Sequence, residues 1–270
     1  MIDFSVVVLT FNSQEYIERC LNSLIDVFDE MANTYEIFVI DNGSSDDSPN
    51  LIKNVRMTRR ANIKLTEFDH NTGTTFSRNV GLKQLQGRYV MIIDSDAYAN
   101  TVAVAGLLTH LEANPRCGMA VPKLTYPDGR FQLSTDKFPT LQRKARRFLF
   151  LKTIEKNDIE LNAGVHRVDY AISAFWLIPK RVMDTVGLLD ENIFYSPEDV
   201  DYCLRIWSEG YEIDYLPEFS VVHDAQEISR GFKYNWFTFL HIKGLIYYFI
   251  KHRYCFSLNR LYKRIGISFG

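Results

Sequence analysis

Four short apolar runs, each stopping abruptly at polar residues, divide the first hundred positions of this chain. They are Phe4 to Leu9 before Thr10-Phe11-Asn12, Glu36 to Ile40 before Asp41, Ile63 to Phe68, and Tyr89 to Ile93 before Asp94-Ser95-Asp96. Runs this continuous and this rich in β-branched residues suit strands buried on both faces, as in a parallel sheet. Between the first two, Ile17, Cys20, Leu21, Leu24, Ile25 and Phe28 recur at helical spacing, and Asn12 with Glu15 reads as a capping box at that helix's start. The turn-rich segment from Asn42 to Ser48 leads into a second helix, and a third is expected from Thr74 to Leu85. Strands alternating with helices predict an α/β fold, a Rossmann-like, mostly parallel central sheet flanked by helices.

In such sheets ligands bind beyond the carboxyl ends of the strands, where Thr10 to Asn12, Asp41, Asn71 to Gly73 and Asp94 to Asp96 cluster. No GxGxxG or GxxxxGK[ST] follows any strand, which excludes a dinucleotide fingerprint and a Walker-type phosphate loop. Phosphate must be held another way. Two carboxylates leaving a strand end together suit Mg²⁺ or Mn²⁺, which bind through one or two carboxylates plus substrate phosphates, although two aspartates at a turn also serve as caps.

The second half is more mixed. Tyr126-Pro127-Asp128-Gly129 signals a turn, and Asp136 to Lys152, with six basic residues, reads as a long loop. Val168 to Ile178 is strand-like, a helix opens at Pro179 and stops at Gly187, and Pro197-Glu198-Asp199 opens another, closed by Gly210. Strands from Tyr211 to Leu216 and Phe219 to Val222 lead to His223.

Charge is uneven. Residues 228–270 hold eight basic side chains and no acidic one, so the net charge of -2 leaves -10 on residues 1–227. A basic, aromatic tail suits either an anionic membrane surface or a solvated helical face; nothing in the pattern calls for a nucleic-acid partner. Trp236 to Ile250 is broken by His241 and Lys243 and is shorter than the ~20 apolar residues of a spanning helix, which favours peripheral over transmembrane contact. Four dispersed cysteines without a CxxC pair argue for reduced thiols, and Met1 runs into a strand without signal-peptide character. The expectation is a cytoplasmic protein, at the inner face of the membrane if the tail binds there.

Taken in order, Ser5 to Asn12, Val39 to Asp46, Asn71-Thr72-Gly73 with Arg78-Asn79, and Asp94-Ser95-Asp96 resemble the donor half of family 2 glycosyltransferases of the GT-A fold. Asp128-Gly129, Gln132, Ser134, Phe138-Pro139-Thr140, Ser173-Ala174-Phe175, Gly187 to Glu191, Glu198 to Asp201 and Val221-Val222-His223 are similar to the rhamnosyltransferase-like branch. The likeness reaches residue 225 or so and implies a catalytic domain over 1–227, with a donor half (1–100) and an acceptor half (101–227), followed by a helical extension (228–270).

The resemblance also implies roles. Thr10, Phe11 and Asn12 would lie by the base and ribose, with Asn71, Gly73 and Ser95 also in the donor site, and Asp41 would accept a hydrogen bond from the base. Asp94 would contact ribose or metal-bound water, Asp96 would ligate Mn²⁺ or Mg²⁺, and His223 would complete the metal shell. Arg78 either reaches the diphosphate or forms a surface ion pair. Glu198-Asp199 is the candidate general base, since a hydroxyl nucleophile needs a positioned carboxylate to accept its proton; the family motif gives that role to Asp199, with Glu198 in support. The same acids would also favour the positive end of a helix. Aromatics such as Phe175, Trp176 and Tyr195 would stack on sugars or fill the core.

The implied function is an inverting, metal-dependent transfer from a nucleotide sugar, dTDP-rhamnose first and UDP-sugars next, to a glycan or lipid-linked glycan of a bacterial surface. Ser173, where relatives commonly carry glycine, and Ser196-Pro197, where they often carry an aromatic, set the acceptor side apart. Two rivals are a sugar nucleotidyltransferase, whose glycine-rich basic loop Thr10 to Ser13 lacks, and a catalytically silent nucleotide-sugar or glycan-binding subunit.

Overall fold

The computed structural model of the chain describes residues 2–143, 164–225 and 236–267. Its strands are β1 (Phe4–Thr10), β2 (Tyr35–Asp41), β3 (Ile63–Glu67), β4 (Tyr89–Asp94), β5 (Ala97–Tyr98), β6 (Cys117–Thr125), β7 (Phe131–Gln132), β8 (Thr135–Asp136), β9 (His166–Arg167), β10 (Tyr170–Ala171), β11 (Phe175–Pro179) and β12 (Glu212–His223). Its helices are α1 (Ile17–Glu30), α2 (Ser48–Thr58), α3 (Thr74–Leu82), α4 (Thr101–Ala113), α5 (Lys180–Val186), α6 (Glu198–Ser208), α7 (Trp236–His252) and α8 (Leu258–Ile265).

Among the described residues one large sheet runs β3-β2-β1-β4-β11-β6-β12-β5, with β7 on β6 and β9 on β12. The pairings make β3, β2, β1, β4, β6 and β12 point the same way, and β11 runs against them. The expected mostly parallel α/β sheet is therefore what forms. Alternate side chains of β1 serve opposite faces, as the two-residue period of a strand requires. Val6 and Val8 join a core capped by α1, α2 and α4, while Val7 joins one capped by α3, α5 and α6.

Several local expectations change. The capping box does not form: α1 starts at Ile17 with no side-chain cap, and Asn12 sits at φ 50° with its Oδ1 accepting the Ser45 N–H at 2.8 Å. The side chain is committed to a neighbouring loop. Helix α3 ends at Leu82 rather than Leu85. The run from Val168 to Ile178 splits into β10 and β11, and the two expected C-terminal strands are one, β12, with a register irregularity between Leu216 and Ser220. Phe175 and Trp176 are core residues, 2% and 0% exposed, which removes them as sugar platforms. Of the long basic loop expected over 136–152, residues from 144 onward lie outside the described ones, as do 226–235 at the start of the tail.

The described part of the tail packs on the domain. Tyr248, Phe249, Tyr254 and Leu261 are buried in the second core. Lys251 Nζ lies 2.6 Å from both Asp190 and Asp201, and His252 Nε2 lies 2.7 Å from Asp201. Positive charge on α7 thus answers negative charge on α6 and the loop before it.

Candidate active site

Strand register builds the site. Thr10 pairs with Asp41 across β1 and β2, and Leu9 pairs with Asp94 across β1 and β4, so three polar strand ends emerge side by side. The Asp94 N–H donates to the Ala174 carbonyl at 3.1 Å, tying the acid strand to the turn before β11.

Arg78 joins the two halves of the chain. Its side chain, on α3, is 3% exposed. Nη2 donates to Asp94 at 2.5 Å, and Nη1 donates to Ser173 Oγ at 2.7 Å and to Glu198 Oε1 at 3.4 Å. Ser173 Oγ in turn donates to Glu198 Oε1 at 3.2 Å. The surface ion-pair reading of Arg78 is therefore corrected: it is a buried bridge between Asp94 at the end of β4 and Glu198 at the start of α6. A cation is tolerated at such depth because carboxyl oxygens and a hydroxyl receive N–H groups from both Nη atoms, while Nε has no hydrogen-bond partner among the described residues. Ser173, the departure from glycine, supplies that hydroxyl.

Burial dominates the protonation of both acids. Desolvation, with the neighbouring Asp199 charge, pushes Glu198 from 4.5 up to about 8, against the pull of Arg78. Asp94 is likewise raised by burial, with Arg78 opposing and Asp96 adding to the shift. Asp199 stands next to Glu198 in the first turn of α6, half-buried, with its Oδ1 accepting the Val200 N–H at 2.8 Å. Two adjacent carboxyls, one forced toward its neutral form, make an arrangement in which acid and base roles separate.

Asp96 and His223 come together as expected. His223 Nε2 is 3.2 Å from Asp96 Oδ1 and 3.9 Å from Asp94 Oδ2, and ligand atoms of Asp94, Asp96 and His223 all lie within 4.8 Å of one another. His223 Nδ1–H donates to Gln132 Oε1 at 2.8 Å. That bond fixes the tautomer and leaves Nε2 to face the two acids. Burial acts to lower the His223 pKa, but the Asp96 hydrogen bond and the surrounding carboxylates raise it overall. Two carboxylate oxygens and one oriented imidazole fit Mn²⁺ or Mg²⁺ in their donor chemistry.

The remaining expected residues are placed around this centre. Asp41, 2% exposed, accepts the Ser44 N–H at 3.1 Å and the Ser44 hydroxyl at 2.5 Å, which closes the turn after β2. Ser95 Oγ is 2.8 Å from Ser13 Oγ. Phe11 is 42% exposed beside Thr10, whose buried Oγ1 has no hydrogen-bond partner among the described residues. Asn71 Oδ1 accepts the Gly73 N–H at 3.0 Å and the Asn42 amide at 3.1 Å. Gly73, at φ 88°, lies so close to Phe194 that a Cβ would stand 2.5 Å from its carbonyl oxygen. These two organise the loop entering α3, and no described hydrogen bond joins them to the acid cluster. Gln132 was visible only as part of a motif, without a role; nothing in one sequence pairs it with a histidine 91 residues away.

A parallel-dominated sheet with two aspartates at the end of a central strand, faced by a histidine from another strand, is the arrangement of a GT-A glycosyltransferase. The family described as Glycosyl transferase family 2 matches residues 5–182, and the chain belongs to that family. It is similar to the poly(ribitol-phosphate) beta-N-acetylglucosaminyltransferase TarS of Staphylococcus aureus, 38% identical over 101 residues, covering 37% of this chain and 17% of TarS. The chain thus spans about a sixth of that relative. It is also similar to the N-acetylglucosaminyl-diphospho-decaprenol L-rhamnosyltransferase of Mycobacterium tuberculosis, 24% identical over 236 residues, covering 81% of this chain and 75% of that one. Among solved structures, the mannosyltransferase PcManGT from Pyrobaculum calidifontis, in complex with GDP-Man and Mn²⁺, superposes with a TM-score of 0.65 at 19% identity, over 97% of this chain and 68% of that one. That likeness shows the shared fold.

Proposed function

We propose that the protein transfers a sugar, with inversion, from a nucleoside-diphosphate sugar to a hydroxyl of a bacterial surface glycan. The observation that carries this reading is the Arg78 guanidinium held between Asp94 and Glu198, which puts a donor-side acid and the immediate neighbour of the candidate base Asp199 on either side of one buried cation. In this reading Thr10, Phe11, Asn12 and Asp41 take the nucleoside, and Asp96 with His223 holds Mn²⁺ or Mg²⁺ while Asp94 serves ribose or coordinated water. A cation held there would supply positive charge to the leaving diphosphate. Asp199 accepts the proton of the attacking hydroxyl, and Glu198, kept largely protonated by burial and by Asp199, orients the acceptor or its neighbour. Arg78 is occupied by two acids, so its part is to position Asp94 and Glu198 rather than to seize the diphosphate.

Rhamnose from dTDP-rhamnose is the first donor assignment, supported by the motifs of the acceptor half and by the mycobacterial relative, which aligns with 81% of this chain. A UDP-sugar is the second, supported by the 38% identity to TarS, a protein solved with UDP and with UDP-GlcNAc. A lipid-linked glycan is the proposed acceptor, with residues 228–270 bringing the site to the membrane. Thermal-shift titration with dTDP-rhamnose, UDP-GlcNAc and GDP-mannose, with and without Mn²⁺, separates the donors, since a ligand binding only the folded state raises its stability. With the donor known, Asp199→Asn should lower transfer by roughly 10²–10⁴-fold while leaving donor binding intact. Full transfer by that variant would overturn the base assignment.

A further inference from the structure

Helix α7 has two unlike faces. Toward the domain, His241 Nδ1 is hydrogen-bonded to Ser196 Oγ at 2.9 Å, and Gly244 packs so tightly that a Cβ there would stand 2.0 Å from the Ser196 carbonyl oxygen. Farther along the same face, Tyr248 is buried with its hydroxyl 2.6 Å from that of Tyr254, and Lys251 grips Asp190 and Asp201. Away from the domain stand Phe239, Ile242, Ile246 and Ile250, which are 57%, 49%, 56% and 70% exposed. Their spacing of three, four and four residues sets them on one stripe, the exposed Lys243 falls within the same arc of roughly 100°, and the exposed Arg253 follows the end of the helix.

An outward helix face in water normally carries polar residues, so four large apolar side chains in register mark a contact surface rather than scattered exposure. Charge selects the occupant. The stripe is flanked by cations, and residues 228–270 contain no acidic side chain to answer them. A second copy docking face to face would set Lys243 and Arg253 against their own kind. An anionic lipid surface supplies the missing negative charge and takes apolar side chains into its acyl boundary. No helix among the described residues is long and apolar enough to cross a membrane.

We propose that the outward face of α7 lies in the plane of an anionic bilayer, with Phe239, Ile242, Ile246 and Ile250 in the acyl boundary and Lys243 and Arg253 at headgroup phosphates. The inward face of the same helix braces Ser196 and Pro197, the residues just before Glu198-Asp199. Docking therefore sets the acceptor-side carboxylates at a fixed distance from the lipid surface. The proposal deepens the reading of a lipid-linked acceptor and rests on it for its purpose, while the binding itself stands apart from turnover.

The test is cosedimentation of the whole chain, without donor or acceptor, with vesicles of phosphatidylcholine alone or mixed equally with phosphatidylglycerol. Binding is expected to the mixed vesicles, weaker to the neutral ones, and reduced by salt. The double variant Ile246→Glu, Ile250→Glu should lose vesicle partitioning by on the order of tenfold or more, because glutamate opposes both the acyl boundary and the anionic headgroups. Both side chains face outward, so its melting temperature and Mn²⁺-dependent donor binding should match the unaltered chain, which separates lost docking from lost fold. Lys243→Glu with Arg253→Glu should abolish the preference for anionic vesicles. Absence of binding to the mixed vesicles, or equal binding by the double variant, would refute the proposal. So would a dimer on size exclusion that the double variant dissolves, since the occupant would then be a second copy. Failure of sugar transfer with every donor tried would leave vesicle binding untouched, and the reverse also holds.

Discussion

Replacing Glu198 by glutamine tests the electrostatics of the site most directly. Burial and the Asp199 charge raise the Glu198 carboxyl from 4.5 to about 8, so the folded protein holds a proton there that the unfolded chain releases near pH 4.5. A group raised in the folded state contributes stability that is complete below its unfolded pKa and is lost as pH climbs through its folded one. At about 1.4 kcal/mol per pH unit, that loss reaches about 3 kcal/mol at pH 7 and on the order of 5 kcal/mol above pH 8. Glutamine copies the shape of the neutral acid and cannot ionise. Glu198→Gln should therefore match the parent chain in stability near pH 4.5 and exceed it progressively as pH rises. Urea unfolding at a series of pH values from 4.5 to 8.5, in EDTA so that no cation alters the neighbouring charges, measures the difference, and titrating groups distant from residue 198 cancel in the subtraction. A difference that stays flat across this range would refute the claim that Glu198 is held neutral. If the difference rises, Asp199 is left as the ionised member of the pair and the better proton acceptor.

Other consequences are as specific. Gln132→Leu removes the acceptor that fixes His223 Nδ1 and should weaken Mn²⁺ binding by roughly 10–100-fold, read by titration of the free-ion electron-spin signal. EDTA should abolish the thermal shift given by a nucleotide sugar, and Mn²⁺ should restore it. Lys251→Met leaves Asp190 and the buried Asp201 short of one cation and should cost about 3 kcal/mol at pH 7. Burial acts to raise both carboxyls, but hydrogen bonds hold them below the usual range, from Lys251 and Asn192 at Asp190 and from His252 and Lys251 at Asp201, where the Arg205 charge adds to the effect. Their contribution is thus present above the ordinary carboxylate pKa and lost as pH falls through the folded values, so the cost of Lys251→Met should shrink in acid.

The parallel half of the fold was legible because its physics is local. Strands buried on both faces must be apolar throughout, and Val6, Val7 and Val8, each fully buried, announce that without reference to any distant residue. Features that depend on contacts across the chain were read less well. Asn12 and Glu15 have the spacing of a capping box, yet Asn12 bonds to Ser45, 33 residues away, and a loop outbids the helix for that side chain. The large apolar side chains of the tail look much alike in sequence, but Tyr248 is buried while Ile250, two residues on, is 70% exposed, because α6 covers one side of α7.

The site divides along the same line. Asp94, Asp96 and His223 could be proposed together because the family resemblance joined their motifs, and in the fold the antiparallel pairing of β12 with β5, which sets His223 against Ala97, brings Asp96 to the imidazole. Arg78 could not be resolved, since its partners lie 16, 95 and 120 residues away and on three different elements. Only the topology, which sets β11 beside β4 and brings α6 over the second face, makes Asp94, Ser173 and Glu198 neighbours of one guanidinium. The same topology explains why serine replaces glycine without harm at 173. A hydroxyl placed between a buried cation and a buried acid accepts from the one and donates to the other, whereas glycine there would leave Glu198 with one donor fewer and Arg78 with one acceptor fewer. Ser173→Gly should therefore restore the commoner residue of the family and yet destabilise this chain, by about 1–3 kcal/mol in urea unfolding at neutral pH. An unchanged stability would mean that water replaces the hydroxyl and that the network around Arg78 is open to solvent.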